Sequence, residues 1–188
     1  PKFDYFAPDS IESALALISE RGADARFLAG GQSLVPMMNF RVAAPSALID
    51  LNGIAALRGI RVDENGRLHI GAMTRTREIE MDSTIAAANP LLHAAAPNIA
   101  HIQIRNRGTI GGSLAHADPA AELPGIVLVC DAEINVVGPG GARCIGAKDF
   151  FKGIFSTALE DGEMISGIVF PPWPAHRYWA FKEISRRE

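Results

Sequence analysis

Two glycine-rich turns, about 80 residues apart, constrain the fold of this chain more than any other feature of its sequence. The first turn spans Leu28–Leu34 and the second spans Arg107–Leu114. Because glycine has no Cβ, paired glycines let backbone N–H groups come close to an anion such as a pyrophosphate. A structural strand-to-helix turn that needs a left-handed residue explains the first motif equally well. The turn alone leaves both interpretations open.

Two carboxylates follow the second turn, Asp118 and Glu122, four residues apart. If both join the start of a helix, they share one face and could accept hydrogen bonds from sugar-like hydroxyls. Alternatively, Asp118 caps the helix, with Pro119 as its first residue, and Glu122 lies favourably near the positive helix end. We favour the capping role for Asp118, and the spacing alone leaves both interpretations of Glu122 open.

Neither turn has the G-x-G-x-x-G spacing of a Rossmann fold or the G-x-x-x-x-G-K-S/T spacing of a P-loop. A dinucleotide bound here would therefore use a different fold.

The first 55 residues are predicted to form a small α/β lobe. Asp9 is a plausible N-cap with Glu12 three residues later, as in a capping box. Apolar residues then recur at helical spacing over Ile11–Ile18, and Gly22 is suited to end the helix in the left-handed conformation. Two short strands follow, at residues 26–29 and 48–51.

A larger α+β lobe is predicted for residues 56–172, and residues 173–188 are predicted to begin a further domain. Hairpins are expected around Asp63–Gly66 and Pro139–Gly141, because alternating apolar strands flank both turns. The remaining predicted elements are an Ala-rich helix over 86–96 that Pro90 interrupts, a helix over 118–129, and strands over 164–170 and 178–184.

Composition excludes several classes of function. The formal net charge of −3 offers no basic surface for nucleic acid or anionic lipid, and no apolar run is long enough to span a bilayer. Cys130 and Cys144 are the only cysteines, too few for an iron–sulfur cluster or a disulfide framework, which suits a reducing cytoplasm. The scattered histidines do not predict a metal site.

Taken together, the motifs resemble those of the FAD-binding medium subunit of the xanthine dehydrogenase and aerobic carbon monoxide dehydrogenase family, the molybdenum hydroxylases. The two glycine turns in this order are far more specific than either alone. The matching segments are Ala29–Leu34, Ile104–Ser113, Ala117–Glu122, and Phe181–Lys182 with Ser185–Arg187.

The resemblance implies a two-lobed α+β domain of the vanillyl-alcohol-oxidase-like (PCMH) type, with FAD extended between the lobes. The first turn would hold the pyrophosphate, Glu122 the ribityl hydroxyls and Lys182 the pyrimidine edge of the flavin. A half-buried structural histidine is an equal alternative to a flavin contact for His101. The cofactor-binding residues implied are Ala29, Gly30, Gly31, Gln32, Ser33, Leu34, His101, Thr109, Ile110, Gly111, Gly112, Ser113, Asp118, Glu122, Ile165 and Lys182.

By the same resemblance the chain is an electron-transfer subunit with no catalytic acid, base or nucleophile of its own. Electrons would pass from 2Fe–2S clusters on a small partner subunit through FAD to a terminal acceptor, and a molybdopterin-binding large subunit would oxidise the substrate. The family continues past Ser185–Arg187 with a domain of about 100 residues, on which partner docking and flavin retention could depend. Two alternatives stay open: a stand-alone flavin oxidase or reductase, and a non-catalytic scaffold subunit.

Overall fold

The structure is a computed structural model that describes residues 1–184. Its first part is a three-stranded parallel sheet, in the order β1-β3-β2, with one helix packed on it. The elements in chain order are β1 (Asp4–Phe6), α1 (Ile11–Arg21), β2 (Ala25–Leu28), α2 (Leu34–Asn39) and β3 (Ala47–Asp50).

The second part is built on a five-stranded antiparallel sheet, and its strands and helices share one hydrophobic core. Its elements are β4 (Ile60–Val62), β5 (Leu68–Gly71), α3 (Thr76–Met81), α4 (Ser83–Ala88), α5 (Pro90–Ala95), α6 (Ile102–Arg105), α7 (Ile110–His116), α8 (Glu122–Val129), β6 (Glu133–Gly138), β7 (Gly141–Gly146), α9 (Ala147–Phe150), β8 (Phe151–Gly153), β9 (Ser156–Thr157) and β10 (Met164–Phe170). Short 3-10 helices lie at Leu51–Gly53, Ala55–Leu57 and Ala96–Asn98.

Strand β10 lies at the centre of this sheet, whose order is β4-β5-β10-β6-β7. Both predicted hairpins are confirmed, since β4 pairs with β5 and β6 pairs with β7 in antiparallel register. The pairing of β10 with β6 shifts by one residue between Ile165 and Gly167. Such a bulge changes the local direction of a strand and its side chains.

Helix α1 is confirmed, but its predicted cap is displaced by one residue. Ser10, not Asp9, is the N-cap: its backbone is extended and its hydroxyl accepts a hydrogen bond from Ser13 N at 3.2 Å. Gly22 ends the helix with φ +74°, although its ψ of −165° is not that of the left-handed helix. Serine and aspartate are comparable caps, so only the backbone geometry distinguishes Ser10 from its neighbour.

Two further predictions are wrong. Asp118 does not cap a helix, because α8 begins at Glu122 and the Asp118 carboxylate accepts from Ala120 N within a turn, at 2.9 Å. Residues 178–184 form no strand, because no strand within residues 1–184 pairs with them, and Tyr178 is 99% exposed. Phe181 packs against the larger core without regular structure. Ser185–Arg187 lie outside the described residues.

The Ala-rich segment breaks where Pro90 was expected to interrupt it. Asn89 lies between α4 and α5, with its side chain 1% exposed and its Oδ1 accepting from Leu92 N at 3.0 Å. Pro90 is the first residue of α5, where the missing N–H of proline costs nothing. A buried amide thus fixes the bend between the two helices.

We predict that Asn89→Ala lowers the free energy of unfolding by about 1–3 kcal/mol, because the buried N-terminus of α5 loses its acceptor. Asn98→Ala is the matched control, since the exposed Asn98 amide donates to Ala94 O at 2.9 Å and its loss should cost under about 0.5 kcal/mol. Urea denaturation of both variants measures the difference, and equal costs would contradict the role of Asn89.

Candidate functional site

The two glycine turns meet at one cavity of about 470 Å³, within the range of small-molecule sites. Most of the predicted cofactor-binding residues line it, which brings together positions far apart in the sequence. Those that line it are Ala29, Gly30, Gly31, Gln32, Ser33, Leu34, Thr109, Gly111, Gly112, Ser113, Asp118 and Ile165.

The first turn leaves a run of backbone donors unused. The N–H groups of Gly30–Leu34 make no hydrogen bond to any group within residues 1–184. In contrast, two carbonyls of the turn accept hydrogen bonds from side chains. Asn52 donates to Ala29 O at 3.0 Å, and Gln32, itself in the turn, donates to Gly30 O at 3.1 Å. Consecutive unpaired N–H groups in a turn with a left-handed residue, here Gly31 at φ +72°, are the donor set of an anion cradle.

The second turn is different, because its amides are already bonded inside the protein. The donor and acceptor pairs are Ile110 N to Thr74 O at 3.1 Å, Gly111 N to Ala72 O at 2.9 Å, Gly112 N to Thr109 Oγ1 at 3.1 Å, and Ser113 N to Thr109 O at 3.0 Å. The hydroxyl of Thr109 caps α7. This turn therefore contributes a close backbone surface and the Ser113 hydroxyl rather than free N–H groups.

Glycine is required where the turns touch. A Cβ on Gly30 would lie 2.4 Å from Arg107 O and 2.8 Å from Gly108 Cα, distances that no real Cβ atom adopts. The two turns therefore approach each other through backbone atoms alone. Any side chain at Gly30 would push them apart and open one wall of the cavity.

Four predicted residues do not line the cavity. Ile110 is fully buried in the larger core, and His101 is exposed at the start of α6. Glu122 is half-buried at the first position of α8, and Lys182 is exposed. Their assignment to the flavin stays a prediction.

Burial raises the pKa of Glu122, and the nearby carboxylates of Glu183 and Asp118 raise this pKa further. Because the charge of Glu183 acts on Glu122, the last described segment passes near the start of α8. Lys182 directly precedes Glu183 in this segment. A half-buried carboxyl group beside two like charges gains from a hydroxyl donor, which suits contact with a polyol.

The apolar part of the lining was not identified from the sequence, because each of these residues has the pattern of an ordinary core residue. They include Phe27, Leu51, Met73, Ile104, Leu123 and Met164. An apolar wall with a few convergent polar groups is typical of a cofactor site.

Within residues 1–184, no group of three or more His, Cys, Asp or Glu side chains is arranged to hold a metal ion. None of the helices described is both long and apolar enough to cross a membrane.

Comparison with known proteins identifies the family of this chain. The model of the FAD-binding domain in molybdopterin dehydrogenases matches residues 1–173. The chain belongs to this family. Its FAD-binding domain is 46% identical over 187 residues to the alpha subunit of the 6-hydroxypseudooxynicotine dehydrogenase complex of Paenarthrobacter nicotinovorans, covering 100% of this chain and 63% of that one.

Solved structures agree with this membership. Carbon monoxide dehydrogenase from Hydrogenophaga pseudoflava matches with a TM-score of 0.97 at 43% identity, over 100% of this chain and 65% of that chain. Quinoline 2-oxidoreductase from Pseudomonas putida 86 matches with a TM-score of 0.94 at 40% identity, over 100% of this chain and 64% of that one. The chain thus spans a little under two thirds of these relatives and shares their mixed helix-and-sheet fold.

The FAD-binding domain has residues that fit its cofactor. The Gly30–Leu34 amides suit the pyrophosphate, since five adjacent N–H donors have no protein acceptor within residues 1–184. Because Gly30 has no side chain, the second turn can lie directly against this cradle. The apolar lining of the cavity suits the aromatic parts of the cofactor.

We predict that Gly30→Ala weakens FAD binding by roughly tenfold and lowers the free energy of unfolding by about 1–3 kcal/mol, because the added Cβ overlaps Arg107 O. Flavin titration and thermal melts of the apo-protein measure both effects.

The control is Gly125→Ala. Gly125 is exposed within α8, and nothing lies within 4 Å of an added Cβ. It should gain about 0.5–1 kcal/mol of stability from helix propensity and keep its FAD affinity. If Gly30→Ala behaves in the same way, the contact between the turns does not shape the site.

We also predict a pH-dependent effect of Glu122→Gln on the apo-protein. Because the pKa of Glu122 is raised on folding, the folded state binds this proton more tightly than the unfolded chain, and stability from this group is lost as the pH rises through the raised pKa. Glutamine is neutral at every pH. The variant should therefore melt at a higher temperature than the parent near pH 8, with the difference shrinking towards pH 4.5. A difference that is constant from pH 4.5 to 8 would contradict this.

Proposed function

We propose that this chain is the FAD-binding part of the medium subunit of a molybdenum hydroxylase. In this role it passes electrons from 2Fe–2S clusters of a small partner subunit, through FAD, to a terminal acceptor. A molybdopterin-binding large subunit is the second proposed partner. Family membership supports the proposal, as do relatives such as the medium chain of carbon monoxide dehydrogenase, 42% identical over 187 residues.

The observation that carries the proposal is the unused donor run of the first turn beside a cavity. Gly30–Leu34 offer N–H groups where the pyrophosphate would lie, and Ser113 adds a hydroxyl from the second turn. FAD supplies the redox chemistry, since a flavin exchanges electrons singly or in pairs. The chain binds and orients this cofactor and excludes water from its apolar parts. No general base is needed for such a step.

Glu122 and Lys182 are proposed to serve the other end of the cofactor. The half-buried Glu122 carboxyl would accept hydrogen bonds from the ribityl hydroxyls, a role supported by its raised pKa beside Asp118. Lys182 would place a positive charge near the pyrimidine edge of the flavin, where reduction adds negative charge. Support for Lys182 is its position next to Glu183, which lies within electrostatic range of Glu122.

We further propose the PCMH-type two-lobed arrangement, with lobes at residues 1–55 and 56–172 and a further domain beginning in 173–188. Two separate hydrophobic clusters support it, one around α1 and the parallel sheet and one between the five-stranded sheet and its helices. Leu57, Met73 and Met164 join the first cluster from the second lobe and connect the two. A cytoplasmic location is proposed on the free thiols of Cys130 and Cys144.

We predict that the chain binds FAD and prefers it to FMN by at least about tenfold, because the first turn has donors enough for two phosphates while FMN carries one. Titration of the apo-protein with each flavin, followed by the visible flavin band, measures the preference. Equal affinity for FAD and FMN would contradict the pyrophosphate assignment, and a chain that binds neither flavin would contradict the proposed function.

A further inference from the structure

Behind the cavity, a chain of side-chain hydrogen bonds joins the two glycine turns. It consists of Asn52, in the 3-10 helix after β3, and Arg75, which precedes α3. Neither residue lines the cavity. Asn52 lies next to the first turn and Arg75 next to the second, and the two side chains contact each other.

The contacts run without a gap from one turn to the other. Asn52 Nδ2 donates to Ala29 O at 3.0 Å, at the start of the first turn. The Arg75 guanidinium donates from one nitrogen to Asn52 Oδ1 and from the other to Arg107 O, at the start of the second turn. We call this chain of hydrogen bonds through Asn52 and Arg75 the brace. It ends at the contact between the turns, because Arg107 O is also the atom that an added Cβ on Gly30 would overlap.

The chemistry of the neighbours allows only one orientation of the Asn52 amide. Asp50 accepts from Asn52 N at 2.8 Å and from Asn52 Nδ2, and its other carboxylate oxygen accepts from the Tyr5 hydroxyl. A carboxylate accepts only and a guanidinium donates only. The amide nitrogen therefore faces Asp50 and Ala29, and the amide oxygen faces Arg75.

The surroundings of Arg75 are rich in positive charge. Burial lowers the pKa of Arg75, and the cations Arg58 and Arg107 lower it further, against the opposite effects of Glu78 and Asp50. A guanidinium held half-buried beside two others is stabilised when an anion binds nearby. The fork geometry of arginine, which bonds two acceptors at once, explains why this residue type suits the position.

We propose that Asn52 and Arg75 are positioning residues that set the spacing of the two glycine turns for the cofactor's pyrophosphate. They act through the carbonyls of Ala29 and Arg107 and touch no cofactor atom. This inference rests on the proposed function, because it concerns how the same site holds FAD.

The test uses the full chain with Asn52→Ala, Arg75→Met and the double variant. Each single variant is expected to raise the dissociation constants of FAD and of ADP, which carries the same pyrophosphate, by roughly tenfold. Because the two side chains work as one unit, the double variant should lose no more than about twofold beyond the larger single loss. Independent, multiplying losses would overturn the proposal.

The variants Arg75→Lys and Arg58→Met test whether the brace acts through its hydrogen bonds or only through the positive charge of its arginine. Lysine keeps the charge but has no fork, so Arg75→Lys should stay within about threefold of Arg75→Met. Arg58 lies within electrostatic range of Arg75 and donates to the backbone oxygen of Asn52, at 3.2 Å, rather than to a carbonyl of either turn, so Arg58→Met should change FAD affinity by less than about threefold. Full rescue by lysine, or an equal loss in Arg58→Met, would overturn the proposal.

A readout of the pyrophosphate itself excludes a merely structural effect. The ³¹P resonances of bound FAD should shift in Asn52→Ala and Arg75→Met, while the visible flavin band keeps its position. Unshifted resonances with tenfold weaker binding would contradict the positioning role.

If Arg75→Met does not fold, Asn52→Ala decides by the same criteria. Failure of the parent chain to bind FAD would contradict the proposed function, whereas binding that neither variant weakens contradicts the brace alone.

Discussion

The structure of the site depends on one close backbone contact, that between Gly30 and the Arg107–Gly108 peptide. No Cβ fits between them, so the first turn, at the end of the parallel sheet, lies directly on the turn that leads into α7. This contact lets a segment that follows β2 and a segment between α6 and α7 approach more closely than any side chain would allow. Apolar side chains from both hydrophobic clusters line the cavity at which the turns meet.

Although both turns are rich in glycine, their backbone groups are hydrogen-bonded differently. In the first turn Asn52 and Gln32 donate to the carbonyls of Ala29 and Gly30, while the N–H groups of Gly30–Leu34 have no acceptor among the described residues, which gives an anion cradle. In the second turn the N–H groups are bonded to Thr74, Ala72 and Thr109, and glycine serves packing. Glycine content alone does not distinguish these cases, because the distinction lies in which backbone groups already have partners.

The elements that were predicted well depend on local signals. Both hairpins have strong turn residues between alternating strands, and Pro90 breaks the Ala-rich segment where its ring geometry demands. Of the two wrong predictions, one depends on a local interaction and the other on distant groups. Asp118 has the sequence of a cap but accepts a hydrogen bond within its own turn, and residues 178–184 have strand-forming side chains but no neighbouring strand within residues 1–184.

The sequence by itself determined the two glycine turns, their order and spacing, and most of the strands, because these follow from short-range chemistry and backbone sterics. Through the same motifs it also indicated the family, which the comparisons confirm. Only the tertiary structure decided that the turns touch, that the N–H groups of the first have no acceptor within residues 1–184, that Glu122 is half-buried beside like charges, and that Asn52 meets Arg75. Most of these depend on contacts between segments far apart in the chain, and such residues acquire hydrogen-bond partners and burial only when the chain packs.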